Sequence, residues 1–414
     1  MERYTLKNGI KTIIKKNNNT PRIAIVLYVK LNNDEPKSGL YYLMTQLFFQ
    51  GTKNRTSEQL ANELDENAID LNIEKKADYI RFKLLCLNED VNLALEILED
   101  VLENSTFDEF EKEIIKIKGE FESDLDSAKI QAQDNYYRTI FKNHPYGLGR
   151  KEVIEQLDKI KKEDLLKALD EIKNHGQKNI SVAGDIDKDV VISLLEKHVG
   201  NLKITETEDN RKQVEPLNQD LISVIEKEDA NQAQIFRGWR FPSVYTEDYP
   251  AIILLNTILG SSGLSSRLFL ELREKQGLAY TVRSVYEPFV LSGHFFVYIA
   301  TEPKNIKTSL LGFDKEINKI MTEIISDKEL EEAKNNAIGK RQFYRETNLL
   351  EASLNGYYEF LGLGFDFEEK LINSIKNVTK EQIIETAEKY FSKNSALCVL
   401  APKKYLVEAD LLKI

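Results

Sequence analysis

Arg273 and Tyr280 lie in the run SSRLFLELREKQGLAYTV (265–282), where residue types and spacing offer the most chemistry in this chain. Leu268, Phe269 and Leu272 make the buried face of a helix, and Arg273 sits at the edge of that face near the C-terminus, where a cation is favourable. Gly277 is placed to end the helix in the left-handed conformation, and Tyr280 starts the next strand. A guanidinium and a phenol brought together by such a turn are both donors, suited to clamp a peptide carbonyl or a developing oxyanion. The competing reading is an ordinary surface ion pair for Arg273 and plain packing for Tyr280.

A second cluster lies in GLYYLMTQLFFQGT (39–52). Leu40, Leu43, Met44, Leu47 and Phe48 recur at the spacing of one apolar helical stripe, while Tyr42, Thr45 and Gln46 share the opposite face. The four histidines, His144, His175, His198 and His294, include no pair at the i, i+4 spacing that grips a metal, and Cys86 and Cys398 form no C-x-x-C. A self-contained zinc site is therefore not expected. His144 in NHPYGLG reads as a turn residue, GSSG (260–263) as a connection between helices, and no G-x-S-x-G or activated cysteine supplies a nucleophile.

The elements that must position these residues occur twice. The strand RIAIVLYVKL (22–31) is followed by the helix of residues 38–50, a helix started by the Thr56/Gln59 capping box, strands near 68–74 and 79–87, and helices near 89–103 and 107–127. AQIFRGWRF (233–241) opens the same series, with strands in AYTVRSVYEPF and SGHFFVYIAT and helices at 304–323 and 327–346. Each copy closes on a helix and a buried strand, KNISVAGD (178–185) and NSALCVLAP (394–402), the second helix opened by the Thr379/Gln382 box. The pattern predicts an internal duplication in the α+β class: domains 1–203 and 221–414, each a mostly antiparallel sheet covered by helices, joined by a polar linker at 204–220.

Composition bounds the partners. At 414 residues the chain has room for two domains, and 57 basic against 68 acidic residues give a net charge of −11, a poor match for nucleic acid or anionic membrane. No apolar run reaches the length of a membrane span, and the N-terminus lacks a signal-peptide core. Both cysteines stand in apolar strand-like runs, as reduced core thiols do, which favours the cytoplasm, with the periplasm open to a chain that has lost a leader.

With these residues in view, the chain resembles the insulinase/pitrilysin (inverzincin) group of zinc peptidases, especially the short processing-peptidase-like chains. Gly39, Leu40, Phe49, Gly51 and Thr52 stand in register with the group's G-L-A-H-F-L-E-H-M-L-F-K-G-T. RTSEQLANEL, HPYG (144–147) and VAGD (182–185) are similar to further features, and SSRLFLELREKQGLAYTVRS is close to S-S-R-L-x-x-E-x-R-E-x-x-G-L-A-Y-S-V. The departure falls on the inverted zinc motif H-x-x-E-H, two histidine ligands around a glutamate base. In register, Tyr42 replaces the first histidine, Thr45 the base and Gln46 the second histidine, and Glu120 is the nearest match to the third ligand. A phenol, a hydroxyl and an amide neither hold zinc tightly nor deprotonate its water.

The resemblance implies that Arg273 and Tyr280 match a pair that holds the substrate backbone across the cleft from the zinc. Some bacterial members divide the duties, one chain carrying zinc and its partner the Arg/Tyr pair. The expected function is accordingly the non-zinc subunit of a heterodimeric metallopeptidase, inactive alone, with no catalytic residue or cofactor of its own. It would bind peptide beside a homologous chain that has an intact H-x-x-E-H and the zinc. The alternative is an inactive structural or peptide-binding homologue.

Overall fold

The computed structural model describes residues 1–205 and 208–411, so residues 206 and 207 of the expected linker lie outside the described residues. Two compact units result, and neither is continuous in sequence: one takes residues 1–120, 151–211 and 342–368, the other 121–150, 212–341 and 369–411. One crossing from unit to unit, at 211/212, falls inside the stretch 204–220 expected as a linker. The units differ from the expected domains 1–203 and 221–414 by two exchanged segments, 121–150 from the first half and 342–368 from the second.

The first unit is built on a six-stranded sheet of β1 (Glu2–Thr5), β2 (Lys11–Lys16), β3 (Arg22–Lys30), β4 (Asp70–Lys75), β5 (Tyr79–Leu87) and β6 (Lys178–Gly184), in the order β1-β2-β6-β3-β5-β4. The second holds β7 (Leu221–Glu226), β8 (Ala233–Phe241), β9 (Ala279–Pro288), β10 (Gly293–Thr301) and β11 (Ser395–Ala401), in the order β7-β11-β8-β10-β9. Apart from β1 the two orders correspond strand for strand, as a duplication requires. Each sheet has one parallel pair, β2 with β6 and β7 with β11, and the rest are antiparallel. The parallel pairs join strands far apart in sequence, which a hairpin cannot do.

Burial explains which runs became which strands. β6 and β11 are buried at every residue, so both faces of the sheet are covered there, whereas β5 alternates buried and half-buried side chains. Both T-x-x-Q capping boxes form, Thr56 with Gln59 and Thr379 with Gln382. Cys86 and Cys398 are free and buried, and burial pushes both thiols up to about 12.

The exchanged segments each carry a helix that the sequence pattern passed over. Ala128–Ile140, from the first half, packs on β11, β8 and β7, and Asn348–Phe360, from the second half, packs on β3 and β6. The helix expected at 107–127 runs over Phe110–Leu125, because Phe107 and Glu109 adopt positive φ and delay its start. Among the described residues no helix is long and apolar enough to cross a membrane.

Candidate functional site

In the second unit the helix-to-strand turn brings Arg273 and Tyr280 together. Phe269–Lys275 is wound as a π-helix, and Gly277 closes it at φ 63°, with the Gly277 and Leu278 amides returning to the carbonyls of Arg273 and Leu272. Leu268 and Leu272 are fully buried and hold the helix on the core, which leaves Arg273 on its rim. The guanidinium carbon lies 4.7 Å from the centre of the Phe269 ring and 4.5 Å from that of Tyr280, and NH1 donates to the Tyr280 carbonyl at 2.5 Å. A cation stacked between two rings is held in plane, and most of its five N–H donors remain for a ligand. Tyr280 is 78 % exposed, so its phenol faces solvent and not the core.

In the first unit the Leu40–Leu47 helix buries its apolar stripe: Leu40, Leu43, Met44, Leu47 and Phe48 are at most 1 % exposed. The chain leaving this helix is fastened by Asp100, which accepts from Thr52 Oγ1 at 2.7 Å, Asn54 Nδ2 at 2.6 Å, Arg55 NH1 at 2.8 Å and Asn104 Nδ2 at 2.9 Å. Tyr42 and Gln46 are half-buried and Thr45 is buried. The Thr45 hydroxyl donates back to the Tyr42 carbonyl at 2.7 Å, so it is committed to its own helix, and Gln46 Nε2 reaches Thr45 Oγ1 at 3.4 Å.

Glu120 is exposed on the Phe110–Leu125 helix, one turn beyond Lys116. Two residues the sequence reasoning missed stand beside it. Glu113 is 3 % exposed, and its carboxylate takes Lys116 Nζ at 3.0 Å and Gln50 Nε2 at 3.4 Å. The hydrogen bond that Lys116 donates to Glu113 holds its ammonium above its ordinary value against its partial burial, and the charge of Glu113 together with Glu120 and Tyr42 adds to it. The sequence shows only E-x-x-K-x-x-x-E (113–120), which lines three charges along one helix face and is silent on the burial of Glu113.

These groups do not fit zinc. Of the motif positions, Thr45 donates its hydroxyl hydrogen to a carbonyl, the Gln46 amide N–H lies against the Thr45 hydroxyl, and the Lys116 ammonium lies on the buried Glu113 carboxylate. A tetrahedral zinc centre needs several lone-pair donors converging on one point, and here the buried carboxylate is already met by the N–H groups of Lys116 and Gln50.

His144 sits where a turn residue belongs, its Nδ1 accepting from the Tyr146 amide at 3.1 Å and its Nε2 bonded to the Lys212 carbonyl at 2.7 Å. His294 has the more unusual setting. It stands on β10 between Arg240 of β8 and Glu287 of β9 and is fully buried. Nε2 donates to Glu287 at 2.9 Å, and Nδ1 accepts from the Tyr136 hydroxyl, at 3.0 Å, on the exchanged helix Ala128–Ile140. Burial lowers the imidazole below its ordinary value and nearby Arg240 lowers it further, outweighing Glu287, so the ring is neutral.

Comparison with known proteins gives a consistent answer. A model described as insulinase (peptidase family M16) matches residues 11–151, and one described as peptidase M16 inactive domain matches residues 159–337. An uncharacterized zinc protease of Rickettsia felis is 28% identical over 411 residues, spanning 96% of each chain. YmxG of Bacillus subtilis, also described as an uncharacterized zinc protease, is 26% identical over 97% of this chain and 98% of its own. YmfF of the same organism, a probable inactive metalloprotease, is 28% identical over 60% of this chain and 57% of its own. The crystal structure of an M16 inactive domain from Pseudomonas fluorescens superposes with a TM-score of 0.89 at 19% identity, covering 97% of this chain and 98% of that one. A protease from Helicobacter pylori superposes at 0.87 and 22% identity, covering 97% and 99%. At such identities these structures establish the fold.

Proposed function

The chain belongs to the insulinase peptidase family, M16, and from that premise we propose that it is the non-zinc subunit of a heterodimeric metallopeptidase. It binds and orients a peptide for hydrolysis at the zinc of a homologous partner chain that carries an intact H-x-x-E-H. The observation that carries this reading is the Phe269–Arg273–Tyr280 stack, a cation held in plane with spare donors next to an exposed phenol. A donor pair of this kind suits a peptide carbonyl whose oxygen gains charge during attack by a partner's zinc-bound water. The misfit of residues 42–46 to zinc supports the division of labour, since this chain has kept the scaffold of the motif and not its ligands.

A purely structural homologue has no use for a stacked, solvent-facing Arg/Tyr pair. The peptide-binding reading also draws on β4, which is the last strand of its sheet and pairs with β5 alone, leaving an edge to which an extended peptide can add. The test mixes this protein with a homologous H-x-x-E-H chain and follows cleavage of an unstructured peptide. Activity is expected in the mixture only, abolished by a chelator, and reduced about tenfold or more by Arg273→Ala or Tyr280→Phe in this chain. Full activity of the zinc chain by itself refutes the subunit reading.

A further inference from the structure

Glu113 is a carboxylate with 3 % exposure that meets Gln50, just past the helix of Tyr42, Thr45 and Gln46, and its partner Lys116 lies within reach of the charge of Tyr42. An ionised carboxylate removed from water requires a counter-charge, and a resident metal is one way to provide it. Here Lys116 Nζ sits 3.0 Å from Glu113 Oε1, while Gln50 Nε2 approaches Oε2 at 3.4 Å, so both oxygens are met by N–H groups of the protein. The Lys116 side chain is 54 % exposed while that of Glu113 is 4 % exposed, so the ammonium meets the buried carboxylate from the solvent side. Its partner is anything but an ordinary surface carboxylate. The spacing also matters: Glu113, Lys116 and Glu120 follow one another on one helix face, so one ammonium serves a negative charge on each side.

We propose that Lys116 is a built-in cation which takes over the charge-neutralising role of a metal ion, so that this pocket is stable without metal and rejects divalent cations. The inference rests on the reading of the chain as a non-zinc family member and adds a cause to it: the loss of ligand side chains at 42 and 46 is coupled to a charge that opposes metal entry. A divalent cation approaching Glu113 and Glu120 meets an ammonium at contact distance and must displace it before binding.

Zinc chloride is titrated calorimetrically into the full chain and into Tyr42→His/Gln46→His, with Lys116 kept, changed to Met, or changed to Arg. Circular dichroism and thermal melting confirm that each variant is folded, and Lys116→Gln replaces Lys116→Met if the latter does not fold. The histidine variant is expected to bind zinc about tenfold or more tighter once Lys116 is neutral, with Arg behaving as Lys does. Equal affinity with Lys, Arg and the neutral residue overturns the proposal. Tight stoichiometric zinc in the unaltered protein would instead overturn the non-zinc reading, so the two failures are distinct.

Discussion

Replacing Gly238 by Ala perturbs the contact that seats the exchanged helix of the second unit. Gly238 lies on β8 opposite Ala396 of β11 and Phe296 of β10. An added Cβ would lie 2.0 Å from the Tyr136 hydroxyl, 2.8 Å from Tyr136 Cζ and 2.8 Å from the Phe295 carbonyl oxygen. Tyr136 is fully buried and stacked on Phe236 with ring centres 5.6 Å apart, so it has little room to yield. Overpacking of this kind costs about 1–3 kcal/mol. Losing the Tyr136–His294 hydrogen bond leaves a buried nitrogen unpaired for about 1–3 kcal/mol more, and the gain from removing a strand glycine returns about 0.4–1 kcal/mol. The net expectation is a loss of about 3 kcal/mol in Gly238→Ala. Trp239, the single tryptophan, adjoins the substitution and reports unfolding of this unit by fluorescence in urea. Tyr136→Phe removes the clashing hydroxyl, so Gly238→Ala/Tyr136→Phe should lose at least about 1 kcal/mol less than the two single changes summed. A neutral Gly238→Ala, or strict additivity, refutes the idea that this glycine is a slot for this tyrosine.

The His294 network carries a pH dependence. The folded imidazole sits below its unfolded value of about 6.5, so the unfolded state binds the extra proton first. Stability is therefore fully present above about pH 6.5 and falls as the pH drops toward the folded value, by up to about 1.4 kcal/mol per pH unit. His294→Gln should flatten that part of the urea-unfolding profile, and an unchanged profile would exclude His294 as its source. Asp100→Ala removes the acceptor shared by Thr52, Asn54, Arg55 and Asn104, and a loss of about 2 kcal/mol in urea unfolding is expected, because the buried Thr52 hydroxyl loses its acceptor while Arg55 keeps Glu63 and Glu96. A loss below about 1 kcal/mol would show that the turn after the Leu40–Leu47 helix is held by other contacts.

Much of the fold was legible because its signals are local. Apolar periodicity, two capping boxes and fully apolar strands such as SALCVLA report on their own neighbourhoods, and their repetition exposed the duplication and the shared strand order. The two exchanged helices were missed although both carry paired tyrosines, Tyr136–Tyr137 and Tyr357–Tyr358, near the offset of the other repeats. Their polar, aromatic sequences, AKIQAQDNYYRTI and NLLEASLNGYYEF, show no broad apolar stripe, since each lies on a sheet whose own side chains complete the contact. The Arg273 and Tyr280 positions were readable from spacing, because a short turn leaves few geometries. Lys116 was not, because its meaning depends on the burial of Glu113.

The sequence alone determined the classes of element, their duplication and the residue types available for chemistry, for these are properties of short stretches and of their repetition. Tertiary structure alone decided which helix lies on which sheet. In the second unit Tyr136 of the helix enters a slot at Gly238 of the strand; in the first the roles reverse, and Gly356 of the helix makes room for Tyr28 of the strand, opposite Asn179 as Gly238 is opposite Ala396. A tyrosine and a glycine distant in the chain acquire this complementarity only when packing sets them face to face, and steric fit at a buried contact cannot be read from either residue by itself.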